Sequence, residues 1–226
     1  IILSTVTQAE EIILNTEDGF KLPATLLTPQ SSNGAGLILI HQGGSDRSEW
    51  AFMHNQLLEK GYVLLSYDIR GMGASPKDNG AGKAVENIYN SPHQAPLDLK
   101  AAITYLEMMP QVDNERIGIL GASVGGNLAV VGSATMNIKS AVSISGKTEA
   151  VQNLAGTKEL SPKSIYFISS MESDGARAKW AEEMYNMTDG PREIAITAEM
   201  KGHGVTILHD NPILQGEIVR WFQNNL

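Results

Sequence analysis

The chain has no cysteine among its 226 residues. That excludes disulfides, thiolate metal sites and a cysteine nucleophile, and it fits a reducing or an oxidising compartment equally, so the compartment stays open. Basic residues are also scarce, 17 Lys and Arg against 25 Asp and Glu for a formal charge of −8. A nucleic-acid or anionic-membrane surface needs a basic face, so neither is an expected partner. No apolar run approaches the roughly 18 to 20 residues of a spanning helix, and the chain reads as soluble. It begins at Ile1 rather than Met, as expected of a processed or trimmed chain from which a secretory signal would already be gone.

What is present is the composition of one globular domain over residues 1–226: 42% hydrophobic and 19% charged, enough for a single buried core. Segments Glu11–Asn15 and Phe20–Thr28 flank the turn signal Glu17-Asp18-Gly19 and predict an N-terminal β-hairpin. Short apolar runs then alternate with longer amphipathic stretches, the pattern of a mostly parallel sheet with helices on both faces. The expected strands are Leu37–His41, Tyr62–Tyr67, Ile117–Leu120, Ala141–Ser145, Ile165–Ser169 and Glu193–Thr197. Helices are expected over Arg47–Lys60, Leu97–Met109, Ser123–Met136, Ala176–Tyr185 and Pro212–Asn225. Pro76–Pro96 and Lys147–Pro162 break the rhythm with Gly, Asn, Ser and Pro and read as loops or short helices, too short for a second domain.

Gly121-Ala122-Ser123-Val124-Gly125 follows a predicted strand directly and opens a predicted helix. A serine there must turn so sharply that its side chain stands above the sheet, and glycines two residues to either side remove the Cβ atoms that would clash. The helix that starts here aims free N–H groups and its positive dipole end at the serine. The alternative is an ordinary N-cap, which serine also suits.

With this turn on the page, four stretches in order resemble the α/β-hydrolase superfamily, in particular its dienelactone-hydrolase-like and small carboxylesterase members. They are His41-Gln42-Gly43-Gly44, Tyr67-Asp68-Ile69-Arg70-Gly71-Met72-Gly73-Ala74-Ser75, the serine turn, and Gly202-His203-Gly204. The resemblance implies the α/β-hydrolase fold with a minimal lid or none. It also implies a Ser-Asp-His triad of Ser123, Asp174 and His203, in the chain order of that fold.

His203 is favoured further because His41 ends a strand, His54 falls in a helix, and His93 and His209 lie in polar loops. Asp174 competes with Glu172 for the acid, and would also serve as an N-cap for the helix from Ala176. The resemblance assigns the oxyanion hole to the backbone N–H groups of Val124 and of the Gln42-Gly43 segment, with Gly43 favoured. Gln42 stands where many relatives have glycine, and dienelactone hydrolases use cysteine where this chain has Ser123.

Gln42, Met72, Tyr89 and Met171, with Trp50, are candidates to line the substrate site. Packing roles suit Met72, Tyr89, Met171 and Trp50 equally. Arg70 is expected to pair with Asp68 and hold the loop after the second strand. The expected activity is cleavage of small-molecule carboxylic esters, with short to medium acyl chains, by a carboxylesterase-type serine hydrolase that needs no metal or organic cofactor. A peptidase, thioesterase or lactone hydrolase of the same chemistry, or a binding protein on the same fold, are the alternatives.

Overall fold

A computed structural model describes residues 6–198 and 202–226. Strands β1 (Val6–Asn15) and β2 (Lys21–Pro29) form the expected hairpin and pair antiparallel. Gly19 takes φ +89° in its turn, a conformation that glycine adopts without cost. Strands β3 (Gly36–Ile40), β4 (Val63–Tyr67), β5 (Ile117–Ala122), β6 (Ser140–Ile144), β7 (Lys163–Ser170) and β8 (Asp189–Thr197) continue one eight-stranded sheet in the order β1-β2-β4-β3-β5-β6-β7-β8. From β4 to β8 every neighbouring pair is parallel.

Strands β3, β4, β5 and β6 are buried at every residue, as apolar runs covered on both faces must be. Alternate residues feed two cores. Ile38, Ile40, Leu65 and Ile119 pack on one side with α2 (Ala95–Glu107), α3 (Val124–Thr135), α4 (Thr148–Ala155) and α5 (Ala176–Met187). Leu37, Leu39, Leu64 and Leu120 pack on the other with α1 (Ala51–Leu58), α6 (Thr206–His209) and α7 (Pro212–Asn225). Among the described residues no helix is long and apolar enough to cross a membrane.

The first helix starts at Ala51, not Arg47. Residues 46–49 instead form a turn in which the Asp46 carboxylate accepts from the Ser48 N–H and hydroxyl, and the Arg47 side chain is drawn away to Asp68 and Glu11. That corrects the expected Arg70–Asp68 pair as well. Asp68 is buried and accepts from Arg47 Nη1 and from the backbone N–H groups of Arg47 and Ala74, each within 2.8 Å.

Arg70 turns to the other side of the loop, where it is fully buried over the Phe20 ring, with Cζ 4.2 Å from the centroid. There it donates to Asp98 Oδ1 at 2.8 Å and to both Asp18 oxygens. Partial burial opposes the Asp18 charge, but hydrogen bonds from Arg70, Lys83 and Thr16 prevail and hold its carboxyl below the usual carboxylate range. This buried knot anchors the β4–α2 connection, and with it one wall of the carboxyl edge of the sheet, to α2 and the hairpin. Asp98→Ala, which removes one of the two carboxylates that neutralise the buried guanidinium, is expected to cost about 3 to 5 kcal/mol in a urea-unfolding measurement.

Candidate active site

The strand-to-helix turn holds Ser123 at φ +52°, ψ −110°, outside the regions an L-residue ordinarily occupies. Its backbone is clamped by bonds from Ser123 N–H to Ile144 O and from Asn127 N–H to Ser123 O. The glycines are required by space. A Cβ on Gly121 would lie 2.1 Å from Gly125 O, one on Gly125 2.2 Å from Ile40 O, and one on Gly126 2.6 Å from Ile144 O. These backbone contacts bring α3 hard against the ends of β3 and β6 and lift the Ser123 side chain above the sheet.

His203 arrives from the loop between β8 and α6, and its Nε2 lies 2.8 Å from Ser123 Oγ. Three hydroxyls hold residues 202–206: Gly204 N–H donates to Ser145 Oγ, Ser170 Oγ donates to Gly202 O, and Thr206 Oγ1 accepts from His203 N–H and donates to His203 O. Gly204 sits at φ +58°, a conformation that favours glycine, and a Cβ there would also have to displace the Gln42 amide, whose Oε1 would lie 1.9 Å away.

The carboxylate behind His203 is Glu172, with Oε2 3.3 Å from Nδ1. No ion pair among the described residues joins Asp174 to His203. Asp174 is exposed at φ +56° in a turn where Ser173, Asp174 and Gly175 all have positive φ, and the helix it was expected to cap begins after Gly175 without a side-chain cap. The same Glu172 oxygen lies 2.6 Å from Arg177 Nε. Burial lowers the pKa of His203, the Arg177 charge lowers it further, and Glu172 pulls it back up, with a net value below the ordinary imidazole 6.5. That shift favours the neutral imidazole, whose Nε2 lies within hydrogen-bond reach of the Ser123 hydroxyl.

Among the described residues, two backbone N–H groups of the segments expected to form an oxyanion hole make no hydrogen bond. Val124 begins α3, and its N–H has no partner within the helix. In the Gln42-Gly43 segment the Gln42 N–H is taken by Glu49 Oε2 at 2.7 Å, which leaves Gly43.

Tyr89 reaches this point from the irregular segment 76–94. A Cβ on Gly43 would meet its hydroxyl at 2.9 Å. That segment is pinned by buried Ile88 and by a bond from Asn153 of α4 to Asn90. Met171 is exposed on the loop after β7, Met72 is partly buried against the core, and Trp50 is wholly buried away from solvent. His41 is structural, donating from Nδ1 to Gln42 O and accepting the Ile69 N–H at Nε2.

Among the described residues no group of three or more His, Asp or Glu side chains is placed to hold a metal. A cavity of about 830 Å³ at the opposite end of the strands, lined by Arg116, Lys139, Lys163 and Asp189 among others, contains none of these groups.

The sequence model of the dienelactone hydrolase family matches residues 22–185, most of the chain, from β2 through the serine turn into α5. The chain belongs to the dienelactone hydrolase family. Within and around that family it is similar to the Escherichia coli protein YcjY, 34% identical over 90 residues that cover 39% of this chain and 27% of that protein. It is also similar to a probable 2-oxo-3-(5-oxofuran-2-ylidene)propanoate lactonase of Bradyrhizobium, 34% identical over 109 residues, covering 47% of this chain and 43% of that one. These matches span less than half the length of the curated relatives. A Pyrococcus furiosus esterase shares the fold along nearly the whole chain, with a TM-score of 0.76 over 96% of this chain and 93% of that one at 21% identity. Ser145, Ser170, Thr206 and Arg177 are the members of this site that the sequence alone did not single out.

Proposed function

We propose that this protein is a serine hydrolase that cleaves carboxylic esters through an acyl-enzyme. The observation that carries the reading is the 2.8 Å contact between Ser123 Oγ and His203 Nε2, which puts a nucleophile and a base within direct proton-transfer reach. Ser123 Oγ attacks the ester carbonyl carbon as its proton passes to Nε2. Glu172 balances the imidazolium, and the Gly43 and Val124 N–H groups receive the negative oxygen, each donor lowering the barrier by about 3 to 4 kcal/mol. Collapse of the tetrahedral intermediate expels the alcohol, which takes the proton from Nε2. Water then repeats the sequence on the acyl-enzyme.

The light cover supplied by segment 76–94 favours short to medium acyl chains. A lactone is an ester closed into a ring and follows the same steps, with the alcohol still tethered after ring opening. The lactonase named among the relatives makes lactones the second substrate class to assay.

A chain-length series of p-nitrophenyl esters and labelling with a fluorophosphonate test the proposal, and a protein inert to both would overturn it. The pH profile carries a separate expectation. Because the base must be neutral and its pKa is lowered by burial and by Arg177, kcat/KM should stay on its plateau at pH 7. It should fall about tenfold per pH unit only at values below the ordinary histidine range. An acid limb centred above 6.5 would contradict the environment assigned to His203.

A further inference from the structure

Glu172 does not serve His203 alone. Its Oε2 faces two nitrogens, Arg177 Nε at 2.6 Å and His203 Nδ1 at 3.3 Å, and the guanidinium holds the shorter contact. Arg177 stands in the first turn of α5, immediately past the left-handed turn that delivers Glu172. Its Nη1 donates to the Ser145 carbonyl at 3.4 Å, and its Cζ lies 5.9 Å from the centre of the Trp180 ring. Ser145 Oγ accepts the Gly204 N–H beside His203. One side chain thus joins the acid loop, the end of β6 and, through Ser145, the loop of the base.

The charged side chains acting on His203 among the described residues are Glu172, from the loop after β7, and Arg177, from α5. The neighbouring charges are engaged elsewhere. Lys147, from the β6–α4 loop, lies over the Trp180 ring, 5.4 Å from its centre, and pairs with Glu149 at 3.0 Å. Glu183 of α5 accepts from Thr148 Oγ1, and Asp174 points into solvent on its turn. An arginine is always charged and presents a rigid planar fork. At this place it both fixes the carboxylate and opposes any positive charge that forms next to it.

We infer that Arg177 is a positioning residue for the triad: with its Nε 2.6 Å from Oε2, it holds the Glu172 carboxylate between itself and His203. This rests on the reading of Ser123 and His203 as nucleophile and base. The consequence is a base that stays available in mild acid, at the cost of weaker stabilisation of the charged imidazole during turnover. A residue acting only as a surface clamp would not link these two properties.

The test compares Arg177→Met and Arg177→Lys with wild type by NMR titration of the His203 ring and by kcat/KM on p-nitrophenyl acetate against pH. In Arg177→Met the proton affinity of His203 should rise about three- to tenfold, with the acid limb of kcat/KM moving to higher pH by the same amount. Plateau kcat should fall about tenfold as Glu172 loses its anchor.

Arg177→Lys keeps the charge but not the fork, so its titration should stay near wild type while kcat falls. A folded Arg177→Met protein whose His203 titrates as in wild type would overturn the inference. Should Arg177→Met fail to fold, a lysine variant with wild-type kcat would do so. A wild-type protein inert to every ester and to fluorophosphonate would instead sink the hydrolase reading, which is a different outcome from an active wild type with an unmoved titration.

Discussion

Ser123→Ala is expected to lower kcat on p-nitrophenyl esters by about 10⁴- to 10⁶-fold and to abolish fluorophosphonate labelling. The substitution removes the proposed attacking oxygen and leaves Cβ and the backbone in place, so the proposed oxyanion donors, the N–H groups of Gly43 and Val124, would still bind the carbonyl and a small residual rate would survive. Folding should be little affected, because Ser123 Oγ is bonded only to His203 among the described residues. The backbone at φ +52° stores about 1 to 3 kcal/mol of strain that alanine keeps and glycine relieves. Ser123→Gly should therefore be as inactive as Ser123→Ala yet melt at a higher temperature, which separates the chemistry of the residue from the strain of its position. A Ser123→Ala enzyme within tenfold of wild type would remove the nucleophile assignment.

The parts of this site that could be read in advance are those whose residue types have a steric cause visible along the chain. The alternation of apolar runs with amphipathic stretches gave the sheet and its covering helices, because strands buried on both faces must be apolar throughout. The glycines around Ser123 stood out because no other residue clears Gly125 O and Ile40 O at 2.1 to 2.2 Å. Gly204 beside His203 did so because its φ of +58° favours glycine.

What was illegible depends on meetings between distant segments. Ser145 and Ser170 are ordinary residues at strand ends until the His203 loop settles on their hydroxyls, although two serines ending neighbouring strands at the same edge were a signal of a kind. Arg70 was expected to join Asp68 two residues away. It joins Asp98 28 residues on, where the one hint was a carboxylate on the apolar face of α2.

Glu172→Gln should lower kcat by about 10²- to 10⁴-fold, while Asp174→Asn stays near wild type. The two carboxylates are separated by one residue, and the difference lies in the turn. Three successive positive-φ residues, Ser173, Asp174 and Gly175, reverse the chain so that Glu172 faces inward to His203 Nδ1 and Asp174 faces water. Nothing in the sequence marks two non-glycine residues for that conformation, and Asp174-Gly175 before a helix imitates a cap.

Glutamine preserves the shape of Glu172 but not its charge, so it neither fixes the Nδ1–H tautomer nor balances the imidazolium. It also leaves the Arg177 guanidinium next to the base with no anion between them, which adds to the penalty. The acid limb in Glu172→Gln should accordingly move to lower pH, opposite to the movement expected for Arg177→Met, since one variant removes the group that favours the protonated ring and the other removes the group that opposes it. A normal rate in Glu172→Gln together with a collapse in Asp174→Asn would exchange the two acids and require the loop to close differently over substrate.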